Sequence, residues 1–199
     1  MEPRARAGAA AGEPVSAVAC AAEVTLRTAG ESDAAAIAAI YAPHVRQGLA
    51  TFELIPPDAV EMAARMRAIA DAGHPWIIAE RASRAVGYAY AGPYRLRPAY
   101  RYTTEDSIYL AADAMGQGIG RRLLDALIAA CEARGDRQMI AVIGDSGNAA
   151  SIGVHAAAGF AHVGVLRSAG RKFGRWIDVV LMQRALGQGD ATSPSAEPA

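Results

Sequence analysis

The sequence predicts a mixed α/β (α+β) domain in which helices flank a central mixed β-sheet, with the element order β-α-α-β-β-β-α-β-α-β-β. Short apolar runs of strand length alternate with segments whose apolar residues recur at steps of three and four, as on one face of a helix. The 199 residues suffice for one full core and fall short of two ordinary domains. We therefore expect a single folded domain over residues 23–186.

The first half of the domain is expected to contain one strand, two helices and a hairpin. VTLRTA at residues 24–29 is typical of a strand, and Ser32 follows it as the expected N-cap of the first helix. Pro57 and Asp58 begin a second helix, which Gly73 ends. The runs PWIIAE and AVGYAYAG flank the turn-like RASR, and this arrangement predicts an antiparallel hairpin.

The second half is expected to add four strands and two helices. SIYLA reads as a strand, QMIAVIG is apolar enough for a strand covered on both faces, and AHVGVLR and WIDVVLMQR complete the sheet. One helix is expected over residues 117–134, with Gly135 just past its end. The other is expected over residues 148–158 and stops at Gly159.

Both ends of the chain are of low complexity. Residues 1–22 are expected to form a disordered leader and residues 187–199 a disordered tail. Glu13 and Pro14 interrupt the alanine-rich leader, which argues against a signal peptide. No apolar run approaches the roughly 20 residues of a membrane-spanning helix, so we expect a soluble, cytoplasmic protein.

Charge and cysteine content argue against several functional classes. Twenty basic residues balance twenty acidic ones. No overall field therefore attracts nucleic acid or an anionic membrane, and neither is expected as a partner. Cys20 and Cys131 lie far apart in unrelated contexts, which provides neither a disulfide framework nor a metal site.

The stretch AMGQGIGRRLLDAL, residues 114–127, is the most informative about function. Gly116, Gly118 and Gly120 leave backbone N–H groups unhindered at the positive end of a helix, which is a ready site for a phosphate. Two familiar phosphate loops do not match, since Arg121 stands where a dinucleotide loop has glycine and no lysine followed by Ser or Thr is present. A tight strand-to-helix turn is the alternative explanation of the spacing.

This glycine stretch resembles the acetyl-CoA loop of the GNAT superfamily of N-acetyltransferases, Gln/Arg-x-x-Gly-x-Gly/Ala, with Gly118 and Gly120 in the last two positions. Met115 replaces the usual Gln or Arg, which removes a side chain but no backbone donor. Three longer segments resemble the branch that contains phosphinothricin and methionine sulfone or sulfoximine N-acetyltransferases: residues 91–110, 141–160 and 166–183.

The resemblance implies acetyl-CoA as the acyl donor and no metal. Contacts to acetyl-CoA would come from the SIYL strand, the glycine stretch and two polar residues near the start of the next helix. The residues to which the resemblance assigns this role are Ile108, Tyr109, Leu110, Gly116, Gln117, Gly118, Ile119, Gly120, Arg121, Asn148 and Ser151. N-capping by Asn148 is a compatible alternative.

Three residues are implied to carry the chemistry of amine acetylation. Glu105, just before the SIYL strand, corresponds to the general base, acting directly or through a water. The N–H of Leu110 would stabilise the oxyanion, and His155 would protonate the leaving thiolate or relay a proton with Glu105. The respective alternatives are a solvated loop acid, an ordinary sheet partner and a packed or capping histidine.

Substrate recognition is implied for a group of arginine, aromatic and polar residues. A guanidinium can hold the α-carboxylate of an amino-acid analogue bidentately beside an aromatic wall. The residues in question are Phe52, Arg95, Arg97, Tyr100, Glu105, Asp106 and Ser107. Solvated loop arginines are the alternative, and the sequence does not choose between Arg95 and Arg97. Lys172, Phe173 and Trp176 would close the pocket or form a subunit contact, since the resemblance implies a homodimer.

The predicted function is acetyl-CoA-dependent N-acetylation of the α-amino group of small amino-acid analogues such as phosphinothricin, methionine sulfoximine or methionine sulfone. The alternatives are a non-catalytic acyl-CoA sensor or interaction module and an acetyltransferase for a protein N-terminus or another amine. The presence of both Glu105 and His155 favours an enzyme, because a sensor needs neither a base nor an acid. The arginine-bearing loop argues against polyamines through charge repulsion.

Overall fold

The computed structural model describes residues 23–194, and the predicted element order is confirmed. Seven strands and four α-helices form the domain, with short 3-10 turns between some of them. Their bounds are β1 Val24–Thr28, α1 Ala34–Gln47, α2 Ala59–Asp71, β2 Trp76–Arg81, β3 Arg84–Pro93, β4 Thr103–Leu110, α3 Ile119–Arg134, β5 Gln138–Gly144, α4 Ala149–Ala157, β6 Ala161–Lys172 and β7 Arg175–Ala185.

The strands form one mixed sheet in the order β1-β2-β3-β4-β5-β7-β6. Neighbouring strands are antiparallel except for the central pair, β4 and β5, which is parallel. A parallel pair needs a crossover connection, and α3 provides it. The sheet therefore has one parallel junction at its centre.

The two faces of the sheet carry separate hydrophobic cores. α1 and α2 cover one face, where Ile37 and Met66 pack in a cluster with Tyr88 of β3. α3 and α4 cover the other face, where Leu123 packs in a cluster with Met139 of β5. Side chains alternate between the faces along each strand, so neighbouring residues of β4 point into different cores.

The first helix begins later than predicted. A 3-10 turn, Glu31–Asp33, precedes α1 and contains Ser32, so the prediction that Ser32 caps the helix is wrong. Asp33 occupies the N-cap position instead. Its carboxylate accepts the N–H of Gly30 at 2.8 Å and the guanidinium of Arg27 at 2.7 Å. These contacts fix the chain direction at the start of α1.

Three further boundaries or faces differ from the prediction. α3 starts after Gln117, because Gly118 has a φ of 76° and this left-handed conformation is not helical. β4 starts at Thr103, so Glu105 lies inside a strand and not in a loop before it. β5 is not covered on both faces, since Val142 is 37% exposed.

The predictions for the two ends of the chain, the cysteines and a membrane-spanning helix are compared with the structure next. The leader, residues 1–22, and with it Cys20, lies outside the described residues. Residues 187–190 of the expected tail form a turn, and Arg137 donates hydrogen bonds to Thr192 Oγ1 at 3.1 Å and to Ser193 O at 3.3 Å. Cys131 is a buried free thiol, and no helix within residues 23–194 has the length and apolarity needed to span a membrane.

The loop between α1 and α2 crosses directly over the carboxyl end of β5. A Cβ added to Gly144 would lie 2.5 Å from the carbonyl oxygen of Leu49 and 2.9 Å from that of Ala50. These are backbone atoms, which cannot rotate away as a side chain would. We expect Gly144→Ala to lower the free energy of unfolding by about 1–3 kcal/mol, measured by urea denaturation.

Gly153 in α4 provides a control that distinguishes this crowding from the general effect of adding a methyl group. A Cβ added to Gly153 meets nothing within 4 Å. Gly153→Ala should therefore raise the free energy of unfolding by about 0.5–1 kcal/mol, as expected for a helix interior. Equal effects of the two variants would contradict the loop position described here.

Candidate active site

The central strands β4 and β5 separate halfway along their length. They are paired from Thr103 and Gln138 up to Asp106 and Ala141, and no further. Beyond this point β4 stays paired with β3, while β5 stays paired with β7. The opening between them, here called the β4/β5 notch, is lined by Ala50, Asp106, Ser107, Ile108, Tyr109, Ala141, Val142, Ile143, Gly144, Asn148, Ser151 and His155.

The free edge of β4 presents backbone donors to this notch. Ala111 donates its N–H to Val86 O at 2.9 Å, and in an antiparallel pair such bonds alternate along the strand. Ile108 and Leu110 occupy the intervening positions, so their N–H groups point away from β3. The amide of Tyr109 points toward β3, and its ring lies 4.7 Å from the Tyr41 ring in the α1/α2 core. Among these three predicted contacts, the backbone donors are therefore those of Ile108 and Leu110.

The glycine stretch forms an open loop at the start of α3. Gly116 and Gly118 have φ angles of 72° and 76°, which favour glycine, and a Cβ at either would meet no atom within 4 Å. The first hydrogen bond of the helix runs from Arg122 N to Gly118 O. The N–H groups before it, on residues 119–121, therefore have no partner inside the helix and are available to an anion.

Side chains hold this loop from both sides. The Gln117 amide donates to Asp113 O at 2.7 Å and accepts from Arg81 at 2.7 Å. The Arg121 guanidinium donates to Asp125 at 2.7 Å and to Ala157 O at 2.5 Å. Both residues were predicted to bind the cofactor, and their side chains are engaged within the protein. These two residues can therefore bind a ligand through their backbone N–H groups.

The start of α4 contributes an N-cap on the wall of the notch. Asn148 Oδ1 accepts the N–H of Ser151 at 3.2 Å, so the capping role considered for Asn148 is present. Both residues line the notch. The Ser151 hydroxyl lies 3.5 Å from His155 Nδ1. The two predicted cofactor contacts are therefore next to the predicted acid.

Glu105 lies on β4 with its side chain on the α1/α2 face. It is half-buried, and this burial is the main reason why its pKa is raised. The charge of Asp106 raises the pKa further, whereas the charge of Arg95 lowers it. A carboxyl whose pKa lies closer to neutral pH is better suited to act as a general base.

His155 is joined to Asp106, on the opposite face of β4 from Glu105. His155 Nε2 lies 2.9 Å from Asp106 Oδ2, and the two side chains are only 5% and 1% exposed. A relay between His155 and Glu105 would require these two side chains to be paired. The structure pairs His155 with Asp106 instead. Asp106 was predicted to contact the substrate, but its carboxylate lies on the α3/α4 face and is hydrogen-bonded to His155.

The pKa of His155 reflects two opposing influences. Burial is the largest and lowers it, but the hydrogen bond and the negative charge of Asp106 together raise it above the usual value. His155 Nδ1 also lies 2.7 Å from the carbonyl oxygen of Ser151. The net shift favours the protonated ring.

The arginine and aromatic residues among the predicted substrate contacts lie on two loops, whereas Glu105, Asp106 and Ser107 lie on β4. The Arg95 guanidinium lies 4.3 Å above the Tyr94 ring, and the Tyr94 and Tyr100 rings meet edge to face at 5.8 Å. Arg97 precedes the short 3-10 turn that contains Tyr100. Of the two arginines, Arg95 is the one whose charge lowers the pKa of Glu105.

The loop between α1 and α2 places Phe52, which was predicted to contact the substrate, against β6. A Cβ on Gly170 would lie 2.2 Å from Cε1 of Phe52, so the ring rests directly on this glycine. Lys172 is buried and donates from Nζ to Thr51 O at 2.8 Å, which ties the loop to the sheet. Phe173 is 55% exposed and Trp176 64% exposed.

Sequence reasoning missed two residues next to the predicted cofactor site. His44 Nε2 lies 2.8 Å from the carbonyl oxygen of Leu110, at the free edge of β4. Arg84 pairs with Asp113 beside the glycine loop. With Met115 they line a cavity of about 560 Å³ between α1 and the end of β4. A helix residue and a hairpin residue converge here only through the tertiary fold, so no local pattern reveals them.

Comparison with known proteins identifies the family. The sequence profile of the acetyltransferase (GNAT) domain matches residues 26–181, which is most of the chain. The chain belongs to the GNAT acetyltransferase family. It is 59% identical over 170 residues to the phosphinothricin N-acetyltransferase of Alcaligenes faecalis, covering 85% of this chain and 86% of that protein.

Two further relatives of this GNAT chain are similar over most of their length. The L-methionine sulfoximine/L-methionine sulfone acetyltransferase of Pseudomonas paraeruginosa is 40% identical, with 80% of this chain and 92% of that protein covered. The crystal structure of a phosphinothricin acetyltransferase from Sinorhizobium meliloti in complex with acetyl-CoA superposes with a TM-score of 0.84 at 46% identity. That comparison covers 86% of this chain and 93% of the other.

Proposed function

We propose that this GNAT-family chain is an acetyl-CoA-dependent N-acetyltransferase that acts on the α-amino group of small amino-acid analogues such as phosphinothricin, methionine sulfoximine or methionine sulfone. The 59% identity to a phosphinothricin N-acetyltransferase supports the substrate class. The observation that carries the proposal is the arrangement around β4, where the half-buried carboxyl of Glu105 adjoins a strand edge whose free N–H groups face a notch.

The residues around the notch fit acetyl-CoA. The open glycine loop suits its pyrophosphate, since backbone donors surround a surface that no side chain fills. The free donors of Ile108 and Leu110 suit the amide-bearing arm, because an extended chain can pair with a strand edge. When bound, acetyl-CoA supplies a thioester carbonyl to which the amine adds while the C–S bond breaks and the electron pair leaves on sulfur.

The protein's own groups serve the proton transfers of this reaction. Glu105 accepts the proton that the ammonium group loses, directly or through a water. The N–H of Leu110 stabilises negative charge on the carbonyl oxygen. His155, on the other face of β4, is the group that supplies a proton to the leaving sulfur. The base and the acid thus lie on opposite sides of one strand.

Substrate selection is assigned to the loops on the α1/α2 side. Arg95 holds the α-carboxylate, since its charge already acts at Glu105 and a bound amino acid must place its amine near the base. Phe52 and Tyr100 form apolar walls. We assign a supporting role to Arg97, and Ser107, on the same face of β4 as Glu105, contacts the amine.

The assembly and location are part of the same proposal. We propose a cytoplasmic homodimer without nucleic acid or membrane partners. Balanced charge supports the absence of such partners. Exposed apolar side chains on and between β6 and β7 support a subunit contact: Val163, Leu166, Phe173 and Trp176.

The proposed reaction is tested by following free CoA thiol during incubation with acetyl-CoA and one amine at a time. We expect thiol release with methionine sulfoximine, methionine sulfone or phosphinothricin, well above that with a polyamine or an N-terminal peptide. Release with the peptide alone would favour an acetyltransferase for protein N-termini. No release above background with any amine, from protein that binds acetyl-CoA, would leave an acyl-CoA sensor.

A further inference from the structure

The two ring nitrogens of His155 each face a hydrogen-bond acceptor, and a neutral imidazole has only one N–H to donate. His155 Nδ1 faces the carbonyl oxygen of Ser151 at 2.7 Å, and a carbonyl only accepts, so Nδ1 carries a hydrogen. His155 Nε2 faces the carboxylate of Asp106 at 2.9 Å. One further proton must therefore lie between Nε2 and Oδ2.

We propose that Asp106 is a positioning residue that keeps His155 doubly protonated and fixes its ring in the β4/β5 notch. The ring is further held by Phe160, whose ring meets it edge to face at 5.0 Å. With both nitrogens donating, the imidazole cannot turn without losing a buried hydrogen bond. The pair thus stores one dissociable proton at a buried site on the wall of the notch.

The carboxylate of Asp106 favours the charged form of the His155 ring. Burial lowers the pKa of His155, but the hydrogen bond to Asp106 at 2.9 Å and the charge of that carboxylate raise it above its usual value. The other titratable groups nearby are Glu105, next to Asp106 on β4, and Cys131 on α3, whose pKa burial raises so that it stays a neutral thiol. β5 contributes only apolar residues and Gly144 to the notch.

The pair leaves one hydrogen-bonding position open. Asp106 Oδ1 is buried and has no hydrogen-bond partner among residues 23–194, although Asp106 lines the notch. A buried carboxylate oxygen without a donor is unfavourable. A donor in the notch, such as a water molecule or an amide of the bound cofactor arm, would complete its hydrogen bonding.

The role in the reaction rests on the proposed function. As the amine nitrogen bonds to the carbonyl carbon, the C–S bond breaks and sulfur keeps the electron pair. The Ser151 hydroxyl, which lines the notch 3.5 Å from His155 Nδ1, passes its proton to sulfur and takes the Nδ1 proton in exchange. The proton shared with Asp106 stays on Nε2, which leaves a neutral imidazole and a carboxylate. The proton lost by the amine leaves separately through Glu105, and solvent reprotonates the pair after the thiol departs.

The state of the ring is measured by nitrogen NMR of the free protein labelled at histidine. His155→Gln assigns its signals among the four histidines of the chain. We expect both ring nitrogens of His155 to be protonated at pH 7 in the wild type. A single protonated nitrogen would overturn the proposal, and this measurement needs neither a variant of Asp106 nor bound cofactor.

Asp106→Asn tests whether the carboxylate is the cause. An amide can donate to Nε2 of a neutral ring, so we expect a neutral His155 at pH 7 and at least a tenfold weaker proton affinity. kcat should fall at least about tenfold, while the Kd of acetyl-CoA changes less than about threefold. The alkaline decline of kcat should also move to lower pH by about one unit or more.

Asp136→Asn is the matched control. Asp136 is likewise a buried carboxylate, 3% exposed, but it pairs with Arg134 and not with the histidine. Asp136→Asn should leave the nitrogen NMR signals of His155 unchanged. A doubly protonated ring in Asp106→Asn, or an unaltered pH profile of kcat, would overturn the proposal while the proposed function stands. A doubly protonated ring in a wild type that acetylates no amine would support the pair and contradict the proposed function.

Discussion

Glu105→Gln should lower kcat by about 10²–10⁴-fold, the usual contribution of a general base, and leave the Kd of acetyl-CoA within about twofold of the wild type. Glu105 is the carboxyl on the α1/α2 face of β4, and burial raises its pKa. Only the deprotonated form accepts a proton, so wild-type kcat should rise with pH through this raised pKa. The rise should be absent in the variant, as a pH series of initial rates would show.

An exposed glutamate supplies the control for this substitution. Glu31 pairs with Arg67 on the surface at 2.6 Å, and its side chain is 55% exposed. Glu31→Gln should keep the wild-type rate and the wild-type pH profile. A Glu105→Gln enzyme that retains the same kcat and the same dependence on pH would show that another group is the base.

Gly118→Val should weaken acetyl-CoA binding by at least about 100-fold, because a branched side chain would stand where a pyrophosphate must approach the backbone. The left-handed φ of 76° adds strain of roughly 1–2 kcal/mol to the folded state. The affinity is measured by isothermal titration calorimetry, and the stability by urea denaturation.

Gly73→Val separates the two effects of this substitution. Gly73 follows α2 with a φ of 73°, and a Cβ there also meets nothing within 4 Å. The two valine variants should therefore lose similar stability, but only Gly118→Val should lose affinity for acetyl-CoA. Comparable affinities in the two variants would mean that the glycine loop does not contact the ligand.

The parts of the fold that sequence could predict are those governed by local interactions. Asp58 was predicted at the start of the second helix, and its side chain accepts the N–H of Glu61 there. Gly135 ends α3 with a φ of 95°, as its position past the last apolar residue indicated. The glycine stretch was also visible, since positive φ and open backbone both favour residues without a Cβ.

The parts that sequence could not predict depend on distant residues. The hydrogen bond between Asp106 and His155 joins residues 49 positions apart, and the separation of β4 and β5 depends on the register of three strand pairs. For the same reason, the sequence could not choose between the two roles considered for His155, an acid or a relay with Glu105, because it does not show that Glu105 and Asp106 lie on opposite faces of β4. A strand alternates its side chains between two faces, and the exact start of β4 decides which residue faces α4.

The most direct test is calorimetric titration of acetyl-CoA into the folded wild-type protein at two temperatures. If the glycine loop and the free edge of β4 form the cofactor site beside Glu105, one equivalent of acetyl-CoA binds per chain, with a dissociation constant in the micromolar range or below. Two temperatures are needed because a binding enthalpy can pass through zero at one of them. Absence of heat at both temperatures, in protein whose unfolding transition is intact, would contradict this assignment.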